Sequence, residues 1–235
     1  MKKTIGVIGG MGPLATADLF KKMVLMTDAN CDCEHLHVLI DNNTAIPDRT
    51  AAILHGGASP VPELVKSART LAQAGADFLI MPCNTAHYFY EQLLEQSPLP
   101  VLHMPRLTAE HVGRCGLSGV GLLATDGTIA TGIYERLFAE YGILCIKPDE
   151  AEQRAIMSMI YDDIKSGKKP ADTGEIQAML DGMRARGAQS FVLGCTELPI
   201  AFERYAFDAP FIDPTAVLAA GAVEFAGGRV KPCVF

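Results

Sequence analysis

The chain has 235 residues, 49% hydrophobic and 20% charged, enough apolar material for one large domain or two small ones. A net charge of −7 argues against nucleic acid or an anionic membrane surface as the main partner, and no unbroken apolar span is long enough to cross a bilayer. Seven scattered cysteines, an odd number without a disulfide framework, fit free thiols in a reducing cytoplasm.

The opening MKKTIGVIGGMGPLATA imitates a secretory signal, with two lysines, an apolar stretch and Ala-x-Ala at Ala15 to Ala17. Gly6, Gly9, Gly10, Gly12 and Pro13 would break such a helix, whereas a strand at Ile5 to Gly9, a glycine turn and a helix over Leu14 to Met26 use every residue. A strand is predicted at Leu36 to Ile40. The segment from Asp41 to Pro62 is poorly periodic and rich in Asn, Pro, Gly and Ala; it contains IPDRT at Ile46 to Thr50, and a loop this long is a candidate binding loop. Ser59 reads as an N-cap, Val61 to Ala74 as an amphipathic helix and Gly75 as its stop. An apolar strand follows and ends at Cys83; then come a helix carrying Tyr88, Phe89 and Leu93, and a short strand at Val101 to Met104. This alternation predicts an α/β fold of parallel sheets flanked by helices.

The second half repeats the first. VGLLATDGTIATG from Val120 aligns with IGVIGGMGPLAT from Ile5, matching Gly6 with Gly121 and Gly12 with Gly127. GAQSFVLGCTELP from Gly187 aligns with GADFLIMPCNTAH from Gly75, which sets Cys195 on Cys83. Further helices are predicted at Thr128 to Tyr141, Glu150 to Lys165, Glu175 to Arg186 and Thr215 to Ala226, with a strand at Ile143 to Ile146. Two matched blocks in the same order imply two similar lobes related by a pseudo-two-fold axis. Their expected extents are 1–103 with 214–235, and 104–213, with the active site between them.

GMGPLA at Gly10 to Ala15 satisfies a dinucleotide-binding pattern, but its partner turn ATDGT at Ala124 to Thr128 keeps one glycine. A more modest role fits, with backbone N–H groups approaching a small anion at a helix N-terminus. Cys31, Cys33, His35 and His37 suggest a metal site; in an extended segment they spread too far along one face to share a tetrahedral ion, so no metal is assigned. Cys115, Cys145 and Cys233 read as buried or incidental residues. Cys83 and Cys195 differ, because each ends a strand, where open α/β sheets place ligands, and each precedes a polar pair, Asn84-Thr85 or Thr196-Glu197. A following helix N-terminus is expected to lower such a thiol from its free value of ~8.5. His87, one turn past Cys83, is a candidate for orienting the site. Two thiols facing each other suit inversion at carbon: one removes a proton while the other delivers one to the opposite face. Asn84, Thr85, Thr125, Thr196 and backbone N–H groups are available to stabilise the carbanion beside a carboxylate.

GGMGPLAT at Gly9 to Thr16, PCNTAH at Pro82 to His87 and GCTEL at Gly194 to Leu198 resemble the aspartate/glutamate racemase superfamily, in particular its aspartate-racemase branch. The resemblance spans nearly the whole chain. It implies pyridoxal-phosphate-independent racemisation with no cofactor, two α/β lobes and a homodimer. It carries the two acid/base positions to Cys83 and Cys195, the α-carboxylate and amino pocket to Asn84, Thr85 and Thr196, and a site-lining position to Met11. Arg49 and Lys165 match the basic residues that hold the side-chain carboxylate, the first suited to a bidentate contact and the second to a point charge. Glu197 stands where glutamate racemases place His, and the first turn lacks their Asp-Ser pair, which favours aspartate or a relaxed acidic range including glutamate. Cysteine at both positions implies activity in both directions. Competing readings are a reaction of the hydantoin racemase, maleate isomerase or arylmalonate decarboxylase type, a small-acid-binding protein without turnover, and a dinucleotide-dependent oxidoreductase resting on GMGPLA.

Overall fold

The structure is a computed structural model that describes residues 2–232, and Cys233 lies outside them. The first half runs β1 (Ile5–Gly9), α1 (Pro13–Met26), β2 (Val38–Asn42), α2 (Arg49–Leu54), α3 (Val61–Gln73), β3 (Phe78–Ile80), α4 (Tyr90–Leu94) and α5 (Met104–Arg114). The second runs β4 (Gly119–Ala124), α6 (Asp126–Thr131), α7 (Ile133–Ala139), β5 (Leu144–Ile146), α8 (Glu150–Ser158), α9 (Thr173–Ala185), β6 (Ser190–Gly194), α10 (Leu198–Tyr205), β7 (Phe211–Ile212) and α11 (Pro214–Phe225). Every strand pairing inside the two sheets is parallel, in the orders β2-β1-β3 and β5-β4-β6-β7. Each half thus sets its first strand between the next two. Two compact units result, one built from the chain up to Leu107 and from Thr215 onward, the other from Thr108–Pro214. Among the described residues, no helix is long and apolar enough to cross a membrane.

Strand alternation sorts the first sheet's side chains into two apolar layers. Ile5, Val7, Phe78 and Ile80 pack with Leu19 and Met23 of α1 and Leu218 and Ala222 of α11. Ile8, Leu79 and Met81 pack with Leu64, Val65, Ala68 and Leu71 of α3. In the other unit, Leu123, Phe191 and Leu193 pack against Ile156 of α8, Met179 and Met183 of α9 and Leu198 of α10. The repeated glycine of the two first strands has a packing cause. A Cβ on Gly6 would lie 2.6 Å from the Leu79 side chain, and one on Gly121 would lie 2.6 Å from the Phe191 ring. Both glycines let a neighbouring strand's side chain and a covering helix close over the sheet.

The glycine turn after β1 is occupied by its own chain. Gly10 has φ +93°, and a Cβ there would run into the backbone of Asn43. Its N–H donates to the Thr16 hydroxyl at 3.0 Å, and Pro13 opens α1 without an N–H. The turn is thus packed closely against the Asn43 loop, with the Gly10 N–H taken up by Thr16.

Other departures from the sequence reading have local causes. The long segment from Asp41 contains α2, capped by the Asp48 carboxylate accepting from Ala51 N–H at 2.8 Å. The strand expected at Val101 to Met104 shrinks to a single bridge between Val101 and Leu79, because α5 already starts at Met104. Gly132, with φ +62°, splits the expected helix over Thr128 to Tyr141 into α6 and α7. Beyond α8 the chain continues as a π-helical segment, Met159–Lys165. A 3-10 turn at Asp32–Glu34 precedes β2, so Cys31 and Cys33 do not lie on one extended strand.

Candidate active site

In the first unit β3 delivers the chain to Cys83, and a 3-10 turn, Thr85–Phe89, follows at once. Cys83, Asn84 and Thr85 are buried. The Cys83 sulfur belongs to the apolar cluster that also contains Met11, Ile46 and Ala86. His87 fixes the backbone of this turn. Its Nδ1–H donates to the Cys83 carbonyl at 2.8 Å, while Nε2 accepts from Met104 N–H at 3.1 Å at the start of α5. Burial first, then the neighbouring His103, pushes the His87 imidazole down to about 3. A neutral ring with this tautomer satisfies both bonds, and a proton on Nε2 would oppose the Met104 N–H. His87 is thus a clamp that positions Cys83, not a proton shuttle at neutral pH.

Arg49 is also in this unit. It opens α2, which packs on the 3-10 turn after Cys83, and its side chain is buried. Its guanidinium donates to Met11 O at 3.3 Å and to Pro47 O at 3.0 Å, tying the IPDRT loop to the glycine turn. Met11, Arg49, Cys83, Asn84, Thr85 and His87 are therefore gathered along the carboxyl ends of β1 and β3.

The second unit builds a charged counterpart. Ala124 and Gly194 are register partners at the ends of β4 and β6, so Thr125 and Cys195 leave neighbouring strands side by side. Thr125 caps α6, its Oγ1 accepting from Thr128 N–H at 3.3 Å. Cys195, Thr196 and Glu197 are all buried. The Cys195 thiol donates to Glu197 Oε2 at 3.0 Å, and the Thr196 hydroxyl reaches the same oxygen at 3.5 Å. Lys165 Nζ lies 3.9 Å from the other carboxylate oxygen and 4.5 Å above the Tyr161 ring.

Lys165 reaches Glu197 because the π-helical segment is anchored to α10. Asp163, buried in that segment, accepts from Arg204 at 3.0 Å and from the Tyr205 hydroxyl at 2.7 Å, both on α10. The helix that begins after Glu197 therefore holds the segment carrying Lys165. Wide π turns recur at functional positions for this kind of re-aiming. Tyr161 was not singled out in the sequence, although its spacing of four residues from Lys165 is the available signal.

Electrostatics at Cys195 run opposite to the expectation from a helix N-terminus. Burial, then the Glu197 charge and hydrogen bond, push the thiol well above its ordinary value, with Lys165 opposing them. Cys195 rests as a thiol whose proton is already shared with a carboxylate. A cavity of about 690 Å³ in the same unit contains neither Cys195 nor Lys165. Its walls include Asp126, Asp149, Glu150 and Asp162, a poor setting for an acidic ligand.

The aspartate racemase of Picrophilus torridus is 33% identical, with 97% of this chain and 96% of that one covered at a TM-score of 0.87. The broad specificity amino-acid racemase of Bacillus subtilis (strain 168) is 26% identical over 224 residues, 94% of this chain and 96% of that one. The glutamate racemase of Francisella tularensis, solved with D-glutamate, shares the fold at a TM-score of 0.70 and 21% identity, with 95% and 81% of the two chains covered. Fold and likeness together define an amino-acid racemase, an isomerase. The Asp/Glu/Hydantoin racemase profile matches residues 8–222, and the chain belongs to that family.

Proposed function

We propose that the protein interconverts L- and D-aspartate without pyridoxal phosphate, with Cys83 and Cys195 as the two acid/base groups acting on one substrate. The buried contact of the Cys195 thiol with Glu197, backed by Lys165, carries this reading. It places an exchangeable proton and an adjustable charge at the end of a strand. Cys83 stands at the corresponding end in the other unit, with its backbone clamped by His87.

In one direction Cys83 removes the α-hydrogen and Cys195 delivers its S–H proton to the other face of the planar carbanion. In the reverse direction Cys195 must first lose its proton, and Glu197 Oε2 is the acceptor already in contact. Asn84, Thr85, Thr125 and Thr196 supply the dipoles that stabilise negative charge on the substrate α-carboxylate. Arg49 and Lys165 bind the side-chain carboxylate. Glutamate, one methylene longer, is a slower second substrate, since such a difference is worth about 10–200-fold.

Kinetics on a panel of L- and D-amino acids with Arg49→Lys and Lys165→Met test the substrate. Each variant is expected to raise KM for aspartate about tenfold or more through loss of a charge-assisted contact, and to leave KM for a neutral amino acid nearly unchanged. An aspartate KM unaltered in both variants would remove the acidic-substrate reading and favour a racemase of broad range.

A further inference from the structure

Cys31 and Cys33 have no part in the proposed racemase site, yet the fold brings their two exposed sulfurs into contact. Both residues are exposed and free. Cys31 is extended, with φ −152° and ψ 165°, and precedes the 3-10 turn Asp32–Glu34; the turn brings its sulfur to 2.7 Å from that of Cys33. This separation lies between a disulfide bond, ~2.05 Å, and non-bonded contact, which for sulfur exceeds the ~3.5 Å of two carbons.

The turn is held in this shape by hydrogen bonds other than the sulfur contact. Glu34 N–H donates to Cys31 O at 3.0 Å, and His35 N–H to Asp32 O at 3.1 Å. The Glu34 carboxylate accepts from Asn30 N–H at 2.7 Å and from the Asn30 amide at 3.1 Å, while Lys2 Nζ donates to Glu34 O. The approach of the two sulfurs is therefore built into the loop. The hydrogen bond with Cys31, followed by slight burial and the Glu34 charge, pushes the Cys33 thiol up. Among the described residues no three His, Cys, Asp or Glu side chains are grouped to hold a metal ion.

We propose that Cys31 and Cys33 form a thiol–disulfide exchange site that takes low-molecular-weight disulfides. The Cys31 thiolate attacks one sulfur of the small disulfide, breaks its S–S bond and expels one thiolate, which takes up a proton. The sulfur of Cys33, losing its proton, then attacks the Cys31 sulfur and expels the second thiolate. Two protein thiols are oxidised to one disulfide, and the small disulfide is reduced by the same two electrons to two thiols.

Reduced protein is treated with excess oxidised glutathione, quenched in acid, alkylated and digested with trypsin. Cleavage after Lys22 and Arg49 leaves one peptide whose only cysteines are Cys31 and Cys33. This peptide is expected to carry an internal disulfide. In Cys33→Ser, lacking the resolving sulfur, the glutathione mixed disulfide on Cys31 should accumulate about tenfold or more above the native protein. Two alkylated thiols in the native peptide at equilibrium would overturn the proposal, as would equal mixed disulfide in the native protein and Cys33→Ser. Mass is the readout, so the result is independent of racemisation.

Discussion

Replacing either Cys83 or Cys195 by alanine is expected to lower kcat/KM for aspartate racemisation by about 10²–10⁴-fold, the usual contribution of a positioned acid or base. The two directions must fall by the same factor, because the equilibrium constant between enantiomers is one. Exchange of the α-hydrogen separates the variants where racemisation does not. A single remaining thiol still faces one hydrogen, so in heavy water each variant should wash deuterium into one enantiomer with retention. The enantiomer should differ between Cys83→Ala and Cys195→Ala. Chiral chromatography combined with proton NMR reads both quantities, and racemisation at the native rate in either variant would exclude that cysteine.

Glu197→Gln should have the next largest effect. The amide cannot take the Cys195 proton, so kcat/KM is expected to fall by about 10² or more, equally from L- and D-aspartate. Its pH profile should also move. The Glu197 charge helps to hold the Cys195 thiol up, after burial, so removing it brings the thiol down. The protonated form is then lost at lower pH, and the alkaline limb of kcat/KM shifts to lower pH. Lys165→Met removes the one cation opposing that effect and should shift the limb the other way. An alkaline limb unmoved in both variants would separate Cys195 from Glu197.

Much of this architecture is written in the chain. Short continuous apolar runs bounded by Gly and Pro mark β1, β3, β4 and β6, and the repeated Gly6 and Gly121 are required by close strand and helix packing. Shorter elements escape, for physical reasons. The helix α2 has six residues inside an Asn- and Pro-rich stretch and depends on its Asp48 cap. By contrast α5 carried a legible signal, Pro105 in its first turn, that competed with the apolar VLHM run. The π turn before Lys165 has no compositional mark, because the anchor of Asp163 lies some forty residues away on α10.

Among the candidate site residues, the repeat singles out both cysteines and the polar residues after them. Their partners are a different matter. Glu197 sits two positions from Cys195, but its hold on the thiol proton depends on both being buried. The hydrogen bond from Arg49 to Met11 O crosses a sequence separation of 38, which no local pattern encodes. The helix-terminus argument for a lowered thiol failed at Cys195, where desolvation and an adjacent carboxylate outweigh a dipole.

The most direct test of the two-thiol chemistry uses purified protein free of pyridoxal phosphate and L-aspartate in heavy water. Two-base racemisation requires D-aspartate that carries deuterium at Cα from its first appearance, and no turnover after both Cys83 and Cys195 are replaced by alanine. Deuterium-free D-aspartate, or racemisation that survives the double replacement, would contradict it.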